Sequence, residues 1–118
     1  MGETYVEVTV KNPAAPQKAW KGVFLADTGT STSVVPRRRL EEIGIEPISS
    51  RFVELADGST VSFDLGAAVL SFGGQDNPAA VFFGADDVEP LLGTTAMQTA
   101  GVKVDPVNHR LEPAKIRC

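Results

Sequence analysis

One stretch of the chain delivers an acid to a place where acid–base chemistry is feasible: Phe24-Leu25-Ala26-Asp27-Thr28-Gly29-Thr30-Ser31-Thr32-Ser33-Val34-Val35-Pro36. An apolar extended run leads into Asp27, a turn of small polar residues follows, and a second apolar run begins at Val34. A carboxylate held at a strand end can give or take a proton. The same tripeptide, Asp27-Thr28-Gly29, also has the composition of an Asx-turn, in which the Asp side chain bonds to backbone two residues on. What separates the two readings is context, here the apolar residues before it, Thr30-Ser31 after it, and a distant Leu91-Leu92-Gly93.

Other residues invite a chemical reading and lose it. His109 is the only histidine and lies beside Asn108 in a turn; no nucleophile elbow exists for it to serve. Asp86, Asp87 and Glu89 lack the spacing of a calcium loop and read as a solvated segment before Pro90. Arg37-Arg38-Arg39, next to Glu41-Glu42, reads as a solvated helix face rather than a site for an anion. Cys118 is the only cysteine, so neither an intrachain disulfide nor a thiolate-cluster metal site is available, and a free terminal thiol is expected. Trp20 and the six Phe residues are expected in the core or an intersubunit seam. No metal and no cofactor is predicted.

The elements that must hold Asp27 are mostly strands. Tyr5-Val6-Glu7-Val8-Thr9-Val10 alternates and is rich in β-branched residues. Asn12-Pro13-Ala14-Ala15-Pro16 interrupts it, and residues 18–25 resume, as a hairpin with a five- or six-residue loop. Residues 51–55 and 60–63 flank Ala56-Asp57-Gly58-Ser59, where Asp-Gly predicts a tight turn with positive φ at both residues. Residues 67–72 and 79–83 are further strands joined through residues 73–78. Residues 36–44 form a short helix with Pro36 in the first turn and Gly44 at the end. Residues 94–100 form another, capped by Thr94 or Thr95 and stopped by Gly101. Residues 102–105 and 110–112 close the chain around Pro106-Val107-Asn108-His109. No linker, low-complexity segment or fixed repeat appears.

The whole chain agrees with this pattern. Its 118 residues bound it to one domain, residues 1–118. Eight Pro and 11 Gly fall between short apolar runs, which favours an all-β domain over a helical bundle. Eleven Lys and Arg against 15 Asp and Glu give a net charge of -4, which argues against nucleic-acid binding. No apolar run approaches the ~20 residues of a membrane span. Met1-Gly2-Glu3-Thr4-Tyr5 lacks the basic and apolar regions of a signal peptide. A cytoplasmic protein that contacts neither nucleic acid nor membrane is expected.

With these residues placed, the sequence resembles the retropepsin-like aspartic peptidases, viral proteases and their cellular, bacterial and archaeal relatives. Leu25-Ala26-Asp27-Thr28-Gly29-Thr30-Ser31 matches the turn that carries the catalytic Asp in that family. Leu91-Leu92-Gly93 matches the apolar-apolar-Gly element behind it, and residues 53–61 lie where the flap belongs. The resemblance implies a closed β-barrel-like fold with one or two short helices. It implies Asp27 as the catalytic carboxylate, supported by Thr28, Gly29, Thr30 and Ser31, with the Thr28 hydroxyl bonding across a dimer interface. It assigns Ala56, Asp57 and Gly58 to a flap over an extended peptide substrate.

In aspartic proteases generally, two carboxyls share one proton and activate a water between them. Asp-Thr/Ser-Gly occurs once here, so the second carboxylate has to come from another copy about a two-fold axis. The expected active species is therefore a homodimer, with residues 5–10 and those near Leu111 at its interface. Two features depart from the viral pattern: the flap tip Ala56-Asp57-Gly58-Ser59 is less glycine-rich, and Thr94 stands where an arginine is common. A noncatalytic peptide-binding module on the same fold is the competing reading. An intact Asp27-Thr28-Gly29 disfavours it, because an acid kept away from water is costly without a use.

Overall fold

Val8 and Val10 alternate with polar residues, and that alternation sends one face of the first strand into a core where both are fully buried. Residues 2–116 are described by a computed structural model. Along them run β1 (Tyr5–Asn12), β2 (Ala15–Ala26), β3 (Ser33–Pro36), α1 (Arg37–Glu42), β4 (Ser49–Glu54), β5 (Thr60–Phe72), β6 (Gln75–Gly84), β7 (Leu91–Leu92), α2 (Thr94–Ala100), β8 (Val102–Asp105) and β9 (Arg110–Pro113). Cys118, expected as a free thiol, lies outside the described residues.

Seven strands form one sheet in the order β1-β2-β7-β3-β6-β5-β4, and a further β1–β5 pairing returns the sheet on itself. The closed ring is thus β1-β2-β7-β3-β6-β5, with β4 attached outside it along β5. Strands β8 and β9 form a separate two-stranded sheet. The expected mostly-β, barrel-like architecture with two short helices is what the chain adopts. Phe24, Val35, Leu70, Val81 and Leu92 are fully buried in the core, and Leu40, Ala96 and Met97 bring the two helices onto it. Each of these Val, Leu, Phe and Met side chains contributes about 1.5–3 kcal/mol when taken out of water.

Several local expectations are corrected. The first hairpin turns over Pro13-Ala14 alone, with Asn12 accepting the Ala14 amide at 2.9 Å. The extra residues of β2 are absorbed as a register shift beside Asn12. The β5–β6 connection is only Gly73-Gly74, with φ of 60° and 77°, a pair of left-handed residues suited to a two-residue hairpin. Pro78, expected in that loop, lies within β6 opposite Val69. Strand β5 runs unbroken through Asp64-Leu65-Gly66 because it changes partner there, from β4 to β6.

Helix α1 is shorter than residues 36–44: Pro36 is its N-cap and Ile43 its C-cap. Its end is a Schellman arrangement, with the Gly44 amide donating to Glu41 and the Ile45 amide to Leu40. Gly44 takes the positive φ this requires, 79°, and buried Ile45 and Leu40 supply the accompanying apolar contact. The arginine run is not simply solvated. Arg37 lies over the Phe83 ring and Arg39 over Trp20, leaving Arg38 as the exposed member. Of the two places expected for the aromatics, Phe52 is not in the core of this chain, being 83% exposed on β4. No helix among the described residues is long and apolar enough to cross a membrane.

Candidate active site

The position of Asp27 follows from a strand inserted between its neighbours. β2 and β3 are consecutive in the chain, yet β7 lies between them, parallel to β2 at Leu25–Leu91 and Ala26–Leu92 and antiparallel to β3 at Val34–Leu91. The connection from β2 to β3 must therefore arch over the end of β7, and Asp27 is its first residue. Its amide donates to the Leu92 carbonyl at 3.0 Å. Just before it, the Leu25 amide donates to Pro90 at 3.0 Å and the Ala26 amide to Thr4 at 2.9 Å. The backbone entering the turn is held from both sides.

The far side of the arch rests on α2. The first amides of a helix have no partners within it; here Thr94 donates to the Thr30 carbonyl at 2.8 Å and Thr95 to the Ser31 carbonyl at 3.1 Å. The Gly93 amide donates to the Ser33 hydroxyl at 2.9 Å, in a site where Ser33 is buried. The N-cap is Gly93, not Thr94 or Thr95 as expected, and no side chain caps the helix. Loop carbonyls do that work, and they come close: a Cβ at Gly93 would lie 2.4 Å from the Ser31 oxygen. Gly101 ends the helix as predicted, in the left-handed region at φ 71°.

Within the arch, the Asp27 carboxylate is bonded at both oxygens. Oδ1 accepts the Gly29 amide at 2.8 Å and Oδ2 accepts the Thr30 hydroxyl at 2.9 Å. The carboxylate is half-buried, and Thr28 beside it is exposed. An Asx-turn is therefore present, and Asp27 lines a groove together with Thr4, Thr28, Val104 and Pro106. At the groove's rim Glu3 accepts the Tyr5 hydroxyl at 3.2 Å. That bond, with the charges of Glu3 and Glu89, pushes the Tyr5 phenol above its ordinary value of 10.0.

Of the sequence-predicted residues, Asp27, Gly29 and Thr30 form one hydrogen-bonded unit, Ser31 joins it to α2 through its backbone, and Thr28 lines the groove. Ala56, Asp57 and Gly58 stand apart, at the exposed tip of the β4–β5 hairpin, and the groove beside Asp27 does not include them. The tip also differs from the predicted turn. Only Gly58 has positive φ, 85°; its amide donates to Leu55 at 2.9 Å, and the Leu55 amide donates to Ser59 at 2.8 Å. This is a three-residue loop ending in a left-handed glycine. The Asp57 carboxylate accepts both the amide and the hydroxyl of Ser59. The Ser59 hydroxyl, then its amide, hold the Asp57 carboxyl below the ordinary 3.8.

The sequence reading passed over Ser33, whose buried hydroxyl joins the arch to Gly93, because a serine between Thr32 and Val34 carries no local signal. Asp86, grouped earlier with Asp87 and Glu89, accepts the Arg38 amide at 3.0 Å. His109 sits in the left-handed region at φ 53° in the β8–β9 turn, with its ring beside Gly2.

The sequence profile of the family described as Aspartyl protease matches residues 6–96, a span containing the arch, the β4–β5 hairpin and Leu91-Leu92-Gly93. Among 43 similar solved chains is the solution structure of the simian foamy virus (mac) protease. It matches with a TM-score of 0.58 and 19% identity, over 80% of this chain and 91% of that one, a likeness of fold. No protein of the curated set matches the sequence. A profile match over more than three quarters of the residues, on a fold shared with a viral protease, establishes that this chain belongs to the aspartyl protease family.

Proposed function

We propose that the protein is an aspartic endopeptidase whose catalytic pair is Asp27 and the same residue of a second copy. The observation that carries this reading is the placement of Asp27: its carboxylate is bonded at both oxygens by its own loop, and the residue lines a groove. A loop whose Asp only capped a turn would not need β7, α2 and buried Ser33 to fix it. One such loop per chain makes the homodimer part of the reaction.

In this mechanism, a water between the two carboxyls gives a proton to the ionised one as its oxygen attacks the scissile carbonyl carbon. The protonated carboxyl hydrogen-bonds to, and then protonates, the carbonyl oxygen. Collapse of the tetrahedral diol breaks the C–N bond as the amine nitrogen takes a proton from one carboxyl and a diol hydroxyl returns one to the other, restoring the singly protonated pair. The two carboxyls titrate as a unit rather than as separate acids. Gly29 and Thr30 orient Asp27, Ser31 ties the loop to α2, and the exposed Thr28 hydroxyl is available to a partner subunit. Ala56, Asp57 and Gly58 cover an extended substrate and bind it by strand-like hydrogen bonds.

Cleavage of a mixed peptide library from acid to neutral pH, by wild type and by Asp27→Asn, tests the reading. Turnover by wild type and none by the variant is expected. Equal turnover by both would show that another group acts. No turnover by a verified wild-type dimer that still binds peptide would favour the noncatalytic module.

A further inference from the structure

We propose that the Arg37–Asp64 ion pair governs the mobility of the β4–β5 hairpin and is a positioning element for substrate; the second half of this inference rests on the function proposed above. β4 pairs only with β5, from Ser49–Leu65 to Glu54–Thr60. Pairing of β5 with β6 starts at Leu65 and continues to Phe72. Beyond Leu65 the hairpin is thus a two-stranded ribbon outside the closed ring, a structure of marginal stability in water by itself. Its side chains do little to bury it: Phe52 is 83% exposed and Leu55 40%.

Three fastenings hold the root of this ribbon. The Ile48 amide donates to the Leu65 carbonyl at 2.8 Å. The Phe63 ring lies 5.3 Å from that of Phe82 on β6. The third is the ion pair between Arg37 and Asp64, which joins the ribbon to α1. Arg37 is itself well seated. Its guanidinium lies 4.8 Å from the centre of the Phe83 ring and 3.9 Å from Glu41. Phe83 in turn packs against β5 where that strand leaves the ring, since a Cβ on Gly66 would be 2.9 Å from its edge.

Asp64 is therefore clamped to a base made of α1, β6 and the bend of β5, at the root of the ribbon and six residues from Gly58. A neutral contact such as Phe63–Phe82 resists sliding weakly, whereas a charge-assisted bond to a stacked guanidinium fixes direction. Both charged side chains remain over a third exposed, 38% and 40%, so the clamp is partly screened by water. Such a bond biases the ribbon toward one orientation without preventing its excursions. The tip residues Ala56, Asp57 and Gly58 inherit that orientation.

Hydrogen exchange on the intact protein, comparing wild type with Asp64→Asn, Arg37→Gln and the double variant, tests the clamp. Amides of residues 52–61 are expected to exchange roughly three- to tenfold faster in each single variant, with β1, β2 and β6 unchanged. The double variant is expected to be no faster than the singles, because both remove one interaction. Arg37→Lys, which keeps the charge and loses the planar stack, should show a smaller acceleration. In peptide cleavage, KM should rise several-fold in Asp64→Asn while kcat changes less than about twofold. Unchanged exchange in residues 52–61, equal acceleration throughout the barrel, or additive effects in the double variant would each overturn the proposal. Exchange is read without turnover, so failure of the clamp and failure of the proposed reaction are told apart.

Discussion

The amide of Gly93 donates to the buried hydroxyl of Ser33, 60 residues earlier in the chain, at 2.9 Å. This bond joins the start of α2 to the strand that leaves the Asp27 arch, so the Asp27 loop is held by a helix and a strand that have no local reason to meet. Ser33→Ala leaves a buried N–H without a partner. We expect a loss of about 1–3 kcal/mol, read as a thermal midpoint several degrees lower, and a fall in kcat with KM little changed.

Gly93→Ala tests the same junction by crowding it. The added methyl would meet the Ser31 oxygen at 2.4 Å and backbone carbons of Ser31 and Thr32 at 2.7 and 2.8 Å. All three are main-chain atoms, so the arch itself must move. Overpacking of this kind costs about 1–3 kcal/mol. Activity should drop by more than tenfold even in preparations shown by calorimetry to be fully folded, since a displacement of about 1 Å at a catalytic group costs on that scale.

Subunit mixing tests the proposed sharing of the site between two copies. Inactive Asp27→Asn chains mixed in ninefold excess with wild type should form heterodimers carrying one carboxylate each. Cleavage per wild-type chain is then expected to fall by about tenfold after exchange. A rate per wild-type chain that stays constant would mean that one chain suffices.

The tip of the β4–β5 hairpin carries a pH dependence whose sign is set by Asp57. Its folded pKa lies below 3.8 because the Ser59 hydroxyl and amide donate to the ionised form. The order this lends the tip is present above the unfolded pKa and is lost as pH falls through the folded one. Carbon-detected NMR titration should place the Asp57 carboxyl below 3.8 in wild type and nearer to it in Ser59→Ala.

Much of this arrangement was legible because it rests on short-range patterns. Alternating Val6, Val8 and Val10 announced β1, Gly44 and Gly101 announced helix ends, and the Asp27 turn stood out between two apolar runs. What stayed hidden depends on distant partners. Leu91-Leu92-Gly93 stands out by resemblance, but that β7 is a strand follows only from Leu25 and Val34 flanking Leu91, since two residues carry no periodicity. Asp64-Leu65-Gly66 looked like a break, yet the strand continues because β4 and β6 take it in turn. Gly93 caps α2 without a side chain, through carbonyls some 60 residues away, so Thr94 and Thr95 drew the assignment by composition.

The insertion of β7 between β2 and β3 has a consequence during synthesis. A ribosome that has released residues 1–84 has supplied every strand up to β6, but neither Leu91-Leu92 nor α2. Until those emerge, the Asp27 amide lacks its acceptor and the carbonyls of Thr30 and Ser31 lack their donors. Contacts across such separations form slowly and late. The Asp27 turn is thus fixed only after residues 91–95 have emerged, and the chemistry proposed for it waits on them.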